Sequence, residues 1–155
     1  MIPPPTDTLD RQKDLHFGPV EVQLFHFGNA RTSGDTVVYF TDLKAIALGD
    51  LYSETPNPDY SAGGSLLGWG PVLGEVLKLD FTVAVPGEGH IVSKSDVEAF
   101  KAKIDTLVSR ARLLVKSGVP KDQLMAQLKI DDLGWKLNFS PVQGDGFCTE
   151  LSQSN

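Results

Sequence analysis

The sequence predicts a mixed α/β (α+β) domain. Three observations predict it. The β-branched and aromatic run Thr36-Val37-Val38-Tyr39-Phe40 is followed, after Thr41-Asp42, by a second apolar run from Leu43 to Leu48 broken only by Lys44. Two later stretches repeat apolar residues at the 3.6 spacing of a buried helix face. The order along the chain is hairpin, strands, helix, strand, long helix, short helix, which is the pattern of a mixed fold.

Taken in order, residues 1–14 are Pro-rich and then charged, and read as an extended arm in which Pro3 to Pro5 favour polyproline conformation. Leu15-His16-Phe17 and the run Val20 to Phe27 flank Gly18-Pro19, a hairpin signal. Continuous hydrophobicity from Leu43 to Leu48 predicts a strand buried on both faces. Residues 52–64 form a loop rich in Pro, Asn, Asp, Ser and Gly. Ser65 is the expected N-cap of a helix through Leu66, Trp69, Val72, Leu73, Val76 and Leu77. Phe81 to Val85 reads as a short strand ended by Pro86-Gly87. Ser95 and Glu98 have capping-box spacing at the head of the clearest helix, with Val97, Phe100, Ile104, Leu107, Val108, Ala111, Leu114 and Val115 on one face. Gly118 stops it, and Pro120 opens a shorter helix. Trp135, Leu137 and Phe139 are expected to pack back on the body, and residues 140–155 read as a flexible tail. The expected organisation is thus an arm over 1–14, one domain over 15–139, and the tail.

At 155 residues the chain is long enough for one sizeable core. Its net charge of −6 and pI near 4.9 argue against nucleic acid or an anionic membrane as partner, since both require a basic patch. The single cysteine, Cys148, has no partner for an internal disulfide, and no residue beside it would activate it as a nucleophile. The N-terminal run lacks the basic start and apolar stretch of a signal peptide, so a cytoplasmic address is expected.

Four segments carry chemistry: His26 to Asp35, Leu48-Gly49-Asp50-Leu51, Gly63-Gly64-Ser65 and Val85-Pro86-Gly87-Glu88-Gly89. In order and spacing they resemble the second half of a metallo-β-lactamase-fold hydrolase. The resemblance spans roughly residues 15–135. It implies half of an αββα sandwich, with a site along the sheet edge. In that family the first run usually reads Gly-x-Ala-His-Thr-x-Gly-Asp and the last Pro-Gly-His-Gly. Both histidines are metal ligands there, and the Asp matching Asp50 bridges two metals. Here Arg31 and Glu88 stand at the histidine positions, so Asp50 is the one retained family ligand. The family's His-x-His-x-Asp-His cluster is missing, and the histidines are His16, His26 and His90 alone.

An arginine cannot ligate a metal and brings a fixed positive charge. The resemblance therefore implies that Arg31 replaces the metals' charge and pairs with Asp50 and Glu88. Glu88 and His90 remain candidate ligands for zinc, iron or manganese if a site is rebuilt, and Arg31, Asp50, Glu88 and His90 are the candidate pocket. No residue is assigned as catalytic. His26, on a strand, reads as packed or hydrogen-bonded. Gly63 and Gly64 precede a helix N-terminus that could bind an anion. The expected function is a non-catalytic, metal-free domain acting by self-association or by binding a ligand or protein. The alternative is a metal-dependent hydrolase of the thioester, lactone or β-lactam type, completed by a partner subunit or by dimerisation. A sheet covered on one side leaves an apolar face open, so a homodimer or a complementary half-domain is the expected partner.

Overall fold

The computed structural model describes residues 8–135 and 139–154. Its frame is one sheet of six strands that neighbour each other in chain order: β1 Gln12–Phe17, β2 Val20–Phe25, β3 Val37–Phe40, β4 Ala45–Gly49, β5 Val83–Pro86 and β6 Val92–Ser93. β4 and β5 run parallel, and the other neighbouring pairs are antiparallel. A parallel pair needs a crossover, and helix α1 (Leu66–Val76) lies within it. Helices α2 (Lys94–Lys116), α3 (Lys121–Gln127) and α4 (Pro141–Gln153) follow the sheet. Among the described residues no helix is long and apolar enough to cross a membrane.

Local signals placed most elements. Gly18, at φ +63, turns the first hairpin. Ser65 caps α1 by accepting a hydrogen bond from Gly68 N at 2.7 Å. The apolar positions expected on α1 and α2 are buried, from Leu66 to Val76 and from Val97 to Ala111. Other expectations are corrected. The strand expected from Leu43 begins at Ala45, because Thr41–Leu43 form a 3₁₀ turn closed by Lys44 in the left-handed region. The capping box of α2 is Ser93 with Asp96, not Ser95 with Glu98. Ser93 ends β6 in the extended conformation that an N-cap requires, whereas Ser95 is already inside the helix.

Both ends of the expected organisation also change. The arm expected over 1–14 lies outside the described residues as far as residue 7, and residues 12–14 belong to β1. The segment expected as a flexible tail over 140–155 holds α4. Ser140 and Gln143 form its capping box, Pro141 sits in its first turn, and Phe147, Cys148 and Leu151 are buried. Gly146 lets α4 close on Tyr60, since a Cβ there would lie 2.5 Å from the ring. Of the residues expected to pack back, Trp135 is buried and Phe139 is half-buried against the core; Leu137 lies outside the described residues.

The two faces of the sheet differ. Val37 and Tyr39 of β3, Ile46 and Leu48 of β4 and Ala84 of β5 face the helices. They share one core with Trp69, Leu73, Phe100, Ile104 and Leu107. On the other face the register aligns two apolar rows across the sheet. One runs Val22, Phe40, Ala45, Val83, and the other Leu24, Val38, Ala47, Val85. Leu15 and Phe17 of β1 extend the first row and its edge, opposite Val22 and Val20. None of these side chains belongs to the helix-side core. Val83 and Val85 are 37% and 40% exposed, and Phe17 is 64% exposed. The expectation of burial on both faces of β4 therefore holds for Ile46 and Leu48, while Ala45 and Ala47 are half-exposed on the open side.

Candidate functional site

The site lies where the parallel strands end. Asp50 directly follows β4, after Gly49 at φ +53. Gly87, Glu88 and Gly89 directly follow β5. Gly87 N donates to Gly49 O at 2.9 Å, which ties the two strand-end loops together. The two loops approach closely here: a Cβ on Gly87 would stand 2.8 Å from Asp50 Oδ1 and 3.2 Å from the Gly49 carbonyl carbon. Asp50 and Glu88 line one cavity of about 360 Å³ with Tyr52, Ser53 and Glu54. A neighbouring cavity of about 380 Å³ shares Tyr52, Glu54 and Glu88 and adds His90, Asp96 and Lys103. Its floor is aromatic. The Tyr52 and Phe100 rings are 4.9 Å apart between centroids, and Phe100 and Trp135 are 5.6 Å apart at 72°. Burial and the nearby Asp96 charge push the Tyr52 phenol above its usual range. Hydrogen bonds from Ser93 hold the Asp96 carboxyl below its own.

Three of the four candidate residues, Asp50, Glu88 and His90, thus line the strand-end cavities, and Arg31 lines neither. Among the described residues Arg31 forms no ion pair, so the expected Arg31–Asp50–Glu88 cluster is absent. Its loop is held elsewhere. Arg31 O accepts from Asp59 N at 2.7 Å, and a Cβ on Gly64 would meet that same carbonyl. The guanidinium charge acts on Asp59 instead, as a small addition to the Ser61 hydroxyl that chiefly holds the Asp59 carboxyl below its usual range. Asp35 shapes the same loop by accepting from Thr32 N and Oγ1, each at 3.0 Å. His26 Nδ1 lies 2.8 Å from Asp35 O, a hydrogen bond that orients its ring.

A two-metal hydrolase centre needs imidazole and carboxylate ligands converging at about 2.0–2.2 Å on each cation. Among the described residues no three His, Cys, Asp or Glu side chains come together to hold a metal. Asp50, Glu88 and His90 are neighbours without being a ligand set, so the residues present do not fit the family's metals.

The anion site expected beside Gly63 and Gly64 is filled by the chain itself. Glu150 of α4 accepts from the Ser65 hydroxyl, from Leu66 N at 3.2 Å, from Leu67 N at 3.4 Å and from Tyr60 OH at 3.1 Å. A carboxylate at a helix N-terminus is favoured by the orphan amides and the helix dipole. Burial and the Glu150 charge together drive the Tyr60 phenol far above its usual range. No local signal marks this partnership, because the residues are 85 positions apart.

A single mixed sheet with helices packed on one face is the architecture of part of a metallo-β-lactamase fold. The solved structure of a metallo-beta-lactamase from Pontibacter korlensis superposes with a TM-score of 0.57 at 19% identity, over 65% of this chain and 49% of that one. DIM-1 metallo-beta-lactamase and VMB-1 each match with a TM-score of 0.48, at 18% and 20% identity, over 55% of this chain and 42% and 41% of theirs. The chain spans about half the length of the Pontibacter structure. No family model matches the sequence. No curated protein matches it.

Proposed function

We propose that this chain is a non-catalytic, metal-free domain of metallo-β-lactamase-like fold that acts by self-association, with a second copy seated on its open sheet face. The pair of apolar rows across that face carries the reading. The rows cross four neighbouring strands, and Val83 and Val85 of β5, with Phe17 at the β1 edge, are exposed on that face. Contiguous exposed apolar surface on a sheet face is the kind of surface that self-association covers. The occupant is argued from charge. Both rows are uncharged from β2 to β5, and the register continues the second row into β1 at Lys13, opposite Leu24. A neutral apolar face has no charge pattern to select a different partner and is complementary to itself across a two-fold axis. Sedimentation equilibrium at micromolar concentration tests this, with a dimer expected; a monomer would overturn it.

The second reading, a metal-dependent hydrolase completed by a partner, is favoured by the shared placement of Asp50 and Glu88 in one cavity with His90 in the next. Elemental mass spectrometry on protein purified without chelator separates the two. Under the first reading zinc, iron and manganese together stay below about a tenth of an equivalent, since tight binding requires a complete ligand set. Close to one or two equivalents, lost in Asp50→Ala, would instead establish a rebuilt site.

A further inference from the structure

We propose that the strand-end cavity floored by Tyr52, Phe100 and Trp135 and rimmed by Glu54 and Glu88 binds a small organic cation, an ammonium group carried on an aromatic or alkyl body. This goes beyond self-association and does not depend on it, because the cavity opens at the strand ends rather than on the sheet face.

The floor comes first. Three aromatic rings in contact make a continuous apolar base under a cavity of about 380 Å³, within the small range of ligand sites. This floor already holds a cation, since Lys103 Nζ lies 5.6 Å from the Trp135 ring centroid. A ring face attracts an ammonium at that distance through its quadrupole. The rim comes second. Glu54 and Glu88 have no hydrogen-bond or ion-pair partner among the described residues, and both line the two adjoining cavities. Asp96 adds a third carboxylate, against the single ammonium of Lys103. The mouth is therefore negative, and an anionic ligand would meet net repulsion.

The mismatch with a metal ion points the same way. A bare divalent cation needs three or more donors converging on one point, and these side chains do not converge. An ammonium on a bulky stem needs less. Unpaired carboxylates within about 4–6 Å supply the field, and the aromatic floor supplies the dry surface for the stem.

The probe is phenethylammonium, titrated against the full chain while the Trp135 indole and the Gly89 amide are followed by NMR. 3-Phenylpropionate, with the same ring and opposite charge, is the comparison. The ammonium is expected to saturate both signals at least about tenfold more tightly than the carboxylate, and Glu54→Gln with Glu88→Gln to weaken it about tenfold. Both glutamates are exposed, so the double variant keeps the fold. Equal or tighter binding of the carboxylate, shifts confined to other parts of the chain, or unchanged ammonium binding in the double variant would each overturn the proposal. The oligomer's mass, measured on the same samples, reports separately on self-association.

Discussion

Val85→Glu and Val38→Glu are each expected to leave the chain a monomer under conditions where the native sequence sediments at twice its 16.8 kDa mass. Both positions lie in the row Leu24, Val38, Ala47, Val85. A carboxylate there would be desolvated against an apolar partner with no counter-charge, at a cost of several kcal/mol. That loss, borne twice in a two-fold dimer, exceeds the margin of an ordinary micromolar association of about 8 kcal/mol when added to the lost apolar contact. Val85 is 40% exposed in the single chain, so its replacement changes monomer stability by only about 0.5 kcal/mol. Light scattering after size exclusion reads the mass, and thermal unfolding checks the fold. A Val85→Glu protein that remains dimeric would place the interface elsewhere.

Phe147→Ala is expected to destabilise the chain by about 3–5 kcal/mol, and Glu150→Ala by about 1–3 kcal/mol. Phe147 is fully buried, with its ring 6.3 Å from that of Phe139. Glu150 joins α4 to the head of α1, and its removal leaves the Ser65 hydroxyl and the first amides of α1 without their acceptor. For a domain whose total stability is about 5–15 kcal/mol these are large fractions. Urea unfolding measures both. If residues 140–155 behaved as the frayed tail that their composition suggests, neither change would exceed about 0.5 kcal/mol.

The open face also shows how composition can mislead. The run from Leu43 to Leu48 is apolar on both sides of the strand, which a sequence reports as burial on both sides. In the single chain one side packs against Trp69 and Ile104 and the other stays half-exposed. Apolar residues on the open side are what a sheet needs when something else covers it. That is why the same run supports the fold and the proposed association together.

The elements whose signals are local were legible. Ser65 caps a helix with an extended backbone and a hydroxyl, and Val97, Phe100, Ile104 and Leu107 bury one face, because both features depend on residues within two or three turns. The resemblance of their segments to the metallo-β-lactamase pattern puts Asp50 and Glu88 together, and the parallel strands β4 and β5 deliver both to one edge of the sheet. The residues read less well depend on distant partners. Ser93 rather than Ser95 caps α2 because β6 pairs with β5 and stops there. α4 carried a local signal in Ser140, Pro141 and Gln143, but its few apolar residues did not reveal that Tyr60 and α1 would receive them. Arg31 resembled a metal-site residue by sequence position. Its loop is tied to Asp59 through its own carbonyl, and among the described residues it forms no ion pair with Asp50 or Glu88. By itself, then, the sequence determined the first five strands and helices α1 to α3 in outline, because these follow from short-range periodicity and turn signals, while the shared edge of Asp50 and Glu88 followed from the resemblance. Only the tertiary structure decided that Glu150 fills the helix N-terminus, that α4 packs on the body and that Arg31 forms no ion pair with Asp50 or Glu88 among the described residues, because each depends on contacts between segments tens of residues apart.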